Sequence, residues 1–371
     1  MMKRKIVIAS TLKPVYDVRS FLKIARSISK LDHIDILLMG DCNSNEATGI
    51  QNIRVYRVKQ GSRLSLRRLI NPIVNFIHFI ILKPDVLIIT THELLFPAMV
   101  LSLLSRTKII YDVQENYYLN LRCQKEYHPI TGFILAKYVR LKEYMTSPFI
   151  EHYFLAEKCY SRELKFTGDR YTILENKALQ EEPISIKTQS DTLQFLFSGT
   201  LSISSGLELV LSFVKKMKAN NEAFKLKVIG QYFKYDAKQI LDELDEFPEI
   251  ELKISNQPIA YPIIAQAIQN ADFGLVCYQV NNSNRNRIPT KVYEYLAANV
   301  KILCHLDGPW IETIRNYNGG MQMDFLNFDP GSIRKHLDQF TSSTLQNDKT
   351  DLLWTTEEFK LHNALNEILN N

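Results

Sequence analysis

The 371-residue chain has five cysteines, Cys42, Cys123, Cys159, Cys277 and Cys304, and no two stand at a paired spacing. Scattered thiols of this kind argue against a disulfide framework or a zinc site and for reduced, mostly buried side chains. No apolar run reaches the length needed to span a bilayer. Basic residues precede Ile6-Val7-Ile8-Ala9, but that run is too short for the core of a secretion signal and reads as a first strand. Internal repeats and low-complexity tracts are lacking as well. The expectation is a cytoplasmic protein that holds no metal and no resident cofactor.

What is present is an ordinary globular composition, 46% hydrophobic and 23% charged. The length is large for a single core, so two domains are expected. Charge is divided unevenly. Residues 1–180 carry 27 Lys and Arg against 16 Asp and Glu, a balance of +11, whereas the remainder is at −6. A basic first half suits an anionic partner, such as a membrane surface, a lipid phosphate or a nucleic acid.

Short apolar runs alternate with amphipathic stretches along the chain. Strands are expected near 5–10, 33–39, 53–58, 85–90, 108–112, 152–155 and 171–174. Helices are expected at 17–30, 64–82, 94–104 and 130–145, with a further start near 157. The polar segment 179–192 breaks the rhythm and reads as a linker. Alternation then resumes, with strands near 193–198, 224–229, 250–254, 272–278 and 301–305. Helices are expected at 206–220, 237–246, 263–269, from 290, at 310–317 and at 331–340. This pattern implies two doubly wound parallel α/β domains, 1–178 and 193–352. A last helix at 353–371 is expected to pack back on the first domain. Ligands bind beyond the C-terminal strand ends of such sheets, so a cleft between facing domains is the expected site.

The segment Asn286-Arg287-Ile288-Pro289-Thr290-Lys291-Val292-Tyr293-Glu294 reads as a loop, a proline and the first turns of a helix. Lys291 and Glu294 share one face near the helix start. Free N–H groups and a lysine there suit phosphate oxygens, and a carboxylate one turn on can accept both hydroxyls of a ribose diol. A capped helix with a solvated Lys and Glu is the plain alternative. Gly199-Thr200 ends one strand, Gly206 opens the following helix, Gly230-Gln231 ends the next strand and Tyr278 ends another. Taken alone, Gly199 and Gly206 read as a plain tight turn.

Together these residues resemble the nucleotide-sugar domain of retaining GT-B glycosyltransferases related to glycosyltransferase family 4. The resemblance rests on Phe197-Ser198-Gly199-Thr200-Leu201, Gly206-Leu207, Val228-Ile229-Gly230, Ala271–Val276 and Pro289–Ala298. It implies two Rossmann-like domains facing across a cleft, and a UDP- or GDP-linked sugar as donor substrate. Glu294 would bind the donor ribose and Lys291 the phosphates. Gly199 and Thr200 would lie under the diphosphate, and Asn286 stands where the family motif has its first glutamate. Thr290 and Arg287 complete the implied donor set.

In the first half, Asp17, His92 and Glu115 follow strands at the edge where an acceptor would lie, and they are the catalytic candidates. Asp17 also fits a helix N-cap, and a lone histidine such as His92 is usually structural. Arg63, Arg67 and Arg68 head the 64–82 helix. Its Ile70, Ile73, Val74, Ile77, Ile80 and Ile81 read mainly as core packing, with contact on anionic head groups as the alternative. The resulting expectation is a hexosyltransferase of surface polysaccharide synthesis, acting on a lipid-linked or saccharide acceptor at the inner face of the membrane. A sugar-nucleotide epimerase or hydrolase of the same fold and a non-catalytic two-domain binder are the rivals. A nucleic-acid partner is not expected, because no reading motif or basic–aromatic platform is visible.

Overall fold

A computed structural model describes residues 3–42, 48–59, 67–123, 128–180, 192–233, 235–305, 308–331 and 348–370. Side chains 67–69, 235 and 236 are not described. Arg63, most of the 179–192 segment and the 331–340 helix lie outside the described residues. The chain forms two units, Met1–Asn176 with Trp354–Asn371, and Lys177–Leu353.

The first unit holds seven parallel strands, β1 (Arg4–Ala9), β2 (Ile34–Gly40), β3 (Ile53–Arg57), β4 (Val86–Ile89), β5 (Lys108–Val113), β6 (His152–Leu155) and β7 (Tyr171–Ile173). Their order is β3-β2-β1-β4-β5-β6-β7, so the direction of winding reverses between β1 and β4. A helical segment Val18–Ala25 runs into α1 (Arg26–Ile28). Helices α2 (Arg67–Leu82), α3 (Leu95–Leu104), α4 (Tyr117–Cys123), α5 (Pro129–Thr146) and α6 (Tyr160–Glu163) follow. The sequence reading had no counterpart for α4. The residues of α4, Tyr-Tyr-Leu-Asn-Leu-Arg-Cys, are too few to show a helical period.

The second unit holds six parallel strands, β8 (Leu193–Leu201), β9 (Phe224–Tyr232), β10 (Ile250–Ser255), β11 (Phe273–Val276), β12 (Lys301–Cys304) and β13 (Gly320–Gln322). Their order is β10-β9-β8-β11-β12-β13. Its helices are α7 (Leu207–Ala219), α8 (Tyr235–Asp245), α9 (Tyr261–Gln269), α10 (Thr290–Ala297) and α11 (Trp310–Asn316). Strands buried on both faces need continuous apolar runs, and Phe195, Leu196 and Phe197 of β8 are all buried. The three-residue β13 carries no such run, which is why it was not expected.

The final helix, α12 (Trp354–Asn370), belongs to the first unit. Trp354 Nε1 donates to Ser27 Oγ at 2.9 Å, Lys30 pairs with Glu358 at 2.6 Å, and the Glu175 N–H donates to the buried Glu357 carboxylate.

Two helices of the first unit turn large apolar residues outward, and for α2 this is opposite to expectation. In α2, Ile70, Ile73, Ile77, Ile80 and Ile81 are 43–62% exposed, while Asn71 and Asn75 lie inside at 4% and 1%. The core reading of the isoleucine stripe is therefore corrected. Asn75 donates to the Asn71 carbonyl at 2.7 Å, so polar groups on the inner face are satisfied locally. In α5 the inward residues include Gly132, Ala136, Lys142, Glu143 and Thr146, and large apolar side chains face outward.

Glu143 is 2% exposed, and burial raises its pKa to about 7, against the pull of Arg140 and Lys142. The folded state therefore keeps a proton that the unfolded chain releases near pH 4.5. Stability from this group is full below that point and falls as pH rises toward 7. Glu143→Gln is expected to match the parent at pH 5 and to exceed it at pH 8 by about 1–3 kcal/mol. Denaturant unfolding at the two pH values checks this, and equal stabilities at pH 8 would contradict it.

Candidate functional site

In the second unit the winding reverses between β8 and β11, and the crevice beyond their C-terminal ends is where open α/β sheets bind ligands. The glycine stretch after Ser198 proves to be strand rather than turn. Gly199 pairs with Gly230, Thr200 with Gln231 and Leu201 with Tyr232. Gly199 has φ +102°, a conformation that excludes most side chains, and a Cβ on Gly230 would lie 1.8 Å from the Gly199 carbonyl oxygen. Two glycines thus keep the backbone open at this edge. Gly206, also left-handed, opens α7, and a Cβ there would meet the Cys277 carbonyl at 1.9 Å. Ser202 and Ser205 cap this entry reciprocally.

Helix α10 begins at Thr290, after Pro289. Its side opposite the crevice is fixed by Tyr295, whose ring lies against Gly274 and whose hydroxyl bonds Ser198 Oγ at 2.8 Å. Burial pushes the Tyr295 phenol up, so it stays protonated. This anchoring sets Lys291 beside the end of β8. Lys291 is 6% exposed, and its Nζ has no hydrogen-bond acceptor among the described residues. The ammonium sits 4.8 Å from the Phe197 ring centroid and 4.9 Å from that of Tyr278. A Cβ on Gly199 would lie 3.8 Å from it. Ring faces attract a cation but do not satisfy its N–H donors. A buried ammonium of this kind, beside an open backbone edge and a helix start, is built to receive an anion.

Glu294 stands one turn further along α10 and is half-buried, as is Thr290. Asn286 is exposed in a turned loop, where Arg285 and Arg287 N–H groups donate to Asn281 and Asn284 carbonyls. The Gln231 side chain donates to the Asn256 carbonyl at 2.9 Å. Tyr278 packs on Trp310 with centroids 5.9 Å apart. The structure therefore brings together Gly199, Gly230, Tyr278, Thr290 and Lys291. Sequence reasoning missed Phe197, which reads as one more core residue of β8. It also missed His305 and Trp310, whose Nδ1 and Nε1 are buried without partners among the described residues.

In the first unit, Asp17 accepts from the N–H groups of Arg19 and Ser20, both at 3.1 Å, so it caps the Val18–Ala25 segment. His92 Nδ1 lies 2.8 Å from Lys142 Nζ, which can only donate, and this puts a neutral imidazole's proton on Nε2. Its ring meets Tyr117 edge-on at 4.6 Å. Glu115 accepts from Asn120 at 2.8 Å. Arg19 and Asp112 form a buried ion pair at 2.6 Å. Among the described residues no cluster of His, Cys, Asp and Glu could hold a metal ion.

No protein-family model matches the sequence, and no curated protein matches it. Solved structures do match the fold. Sucrose-phosphate synthase from Thermosynechococcus elongatus aligns with TM-score 0.70 at 10% identity, over 99% of this chain and 100% of that one. The chain has the GT-B fold. HepE from Anabaena, solved with UDP-glucose, aligns at TM-score 0.66 and 11% identity over 98% and 99% of the two chains. A glycosyltransferase from Rickettsia africae aligns at 0.59 and 11%, over 99% and 97%. The expected doubly wound α/β class of this GT-B chain is present in both of its sheets.

Proposed function

We propose that the protein is a glycosyltransferase that moves a sugar from a nucleoside-diphosphate donor to an acceptor. The observation that carries this reading is the buried Lys291 ammonium, which lacks an acceptor among the described residues and faces the Gly199 edge at the switch point of the second sheet. Similar folds solved with UDP or UDP-glucose support a UDP-type donor.

In this reading Lys291 and the start of α10 hold the diphosphate, and Glu294 accepts the two ribose hydroxyls. The glycosidic C–O bond to the leaving phosphate breaks as the acceptor hydroxyl oxygen attacks, and its proton passes to the departing diphosphate. Lys291 stabilises the charge that develops on the diphosphate, and catalysis rests on positioning and electrostatics. We further propose transfer with retention onto a lipid-linked or saccharide acceptor, in surface polysaccharide assembly. Asp17, His92 and Glu115 remain the candidates for orienting the acceptor hydroxyl.

A thermal-shift panel of UDP, GDP, ADP and CMP tests the donor class. One diphosphate is expected to raise Tm by linkage, and a flat response to all four would remove the reading. Glu294→Ala is expected to weaken binding of that nucleotide by about 1.5–3 kcal/mol, with the apo melting temperature held. Unchanged affinity would refute the ribose role.

A further inference from the structure

Fifteen of the nineteen large apolar side chains exposed among the described residues belong to α2, α3 and α5. These helices pack in the series α2, α3, α5, and each connects strands running the same way across the sheet. Right-handed crossovers therefore put all three on one face. On α5 the outward residues Ile130, Phe133, Ile134, Tyr138, Leu141 and Met145 are 45–65% exposed. Their spacing is that of one continuous helical stripe. Leu103 and Leu104, at 63% and 70%, continue the surface at the end of α3, and the α2 isoleucines extend it. Isolated apolar residues on a surface are ordinary, but a contiguous face of three helices marks a binding surface.

Among the described residues, the exposed charges on these three helices have one sign. Lys83, Arg106, Arg122 and Lys137 are exposed around the face. Residues 67–84, 94–111 and 128–142 contain no Asp or Glu, and Glu143 is buried behind α5. Arg122 and Lys137 lie over the Phe133 ring at 5.7 and 5.6 Å, with their stems along apolar surface. A second copy of the same face would set cation against cation, with no carboxylate among the described residues of α2, α3 and α5 exposed to answer it. Anionic lipid head groups above an acyl layer answer both features.

We propose that the α2–α3–α5 face is a docking surface for an anionic bilayer, with the apolar stripe at the acyl boundary and the four cations on head groups. This is independent of the donor reading, which concerns the other unit.

The full chain is sedimented with phosphatidylcholine vesicles, with and without phosphatidylglycerol. The protein is expected to pellet with the anionic vesicles and to be released by salt. Ile134→Glu with Leu141→Glu is expected to lower that partition roughly tenfold or more. Both positions are exposed, so the melting temperature and any nucleotide-induced shift are expected to stay as in the parent. Wild-type protein that stays in the supernatant, or a double variant that pellets like the parent, overturns the proposal. So does a dimer in light scattering that the double variant converts to a monomer, since the face would then serve a second copy.

Discussion

Lys291→Met is expected to cut nucleoside-diphosphate affinity roughly 10- to 150-fold, or about 1.5–3 kcal/mol, without loss of apo stability. The two effects separate because of what surrounds the side chain. Its ammonium is buried between the Phe197 and Tyr278 rings and has no acceptor among the described residues. The apo protein therefore bears the desolvation of a charge and recovers only part of it through the ring faces. Methionine fills a similar volume and has no charge to desolvate, so Tm is expected to hold or rise. In the donor reading proposed above, the diphosphate loses a buried cationic partner. Calorimetric titration with UDP and GDP, alongside thermal melts, measures both. Unaltered affinity, or a Tm that collapses, would assign Lys291 to the fold rather than to a ligand.

Arg19→Ala carries the largest expected stability effect, a loss of about 3–5 kcal/mol from the first unit. Arg19 is 3% exposed and Asp112 is fully buried. Nε lies 3.0 Å from both Asp112 oxygens, and Nη1 donates to the Leu174 carbonyl and to Asn176 Oδ1 at 2.8 and 2.9 Å. One guanidinium thus ties the first helical segment to the end of β5 and to the chain leaving β7. Removing it strands a buried carboxylate whose remaining side-chain donor is Gln114, at 2.8 Å. Arg19→Met with Asp112→Leu removes both charges and is expected to recover most of the loss, because an apolar pair needs no desolvation of ions. Two units can unfold separately, so denaturant unfolding is best followed by a probe confined to the first. A loss below about 1 kcal/mol in the single variant would show that the pair contributes little.

Much of the fold was legible from local pattern. Twelve of the thirteen strands stand out as short apolar runs, because parallel strands buried on both faces can be little else. The start of α10 was legible because Pro289 fixes the preceding backbone and Lys291 and Glu294 share a face at three-residue spacing. Gly199 was noticed, but taken alone it read as a tight turn. What gives Gly199 and Gly230 their meaning is their pairing across two strands, and their separation in the sequence hides it. The same distance hides Asp112 from Arg19, so the sequence does not show that the two are spent on each other inside the fold.

Local pattern was enough for the alternation of strands and helices, the two parallel sheets and the lysine-bearing helix start. These depend on hydrophobic period and on backbone chemistry, which are local. Which way the stripes of α2 and α5 point became visible in the folded chain. Periodicity reports that one side of a helix differs from the other, but it has no sign. In α2 the inner side is held by Asn71, Asn75 and Phe79, and five isoleucines are left to the outside. Whether a stripe becomes core or docking surface depends on how much apolar area the sheet beneath it has left to cover. Residues far away in the chain set that quantity.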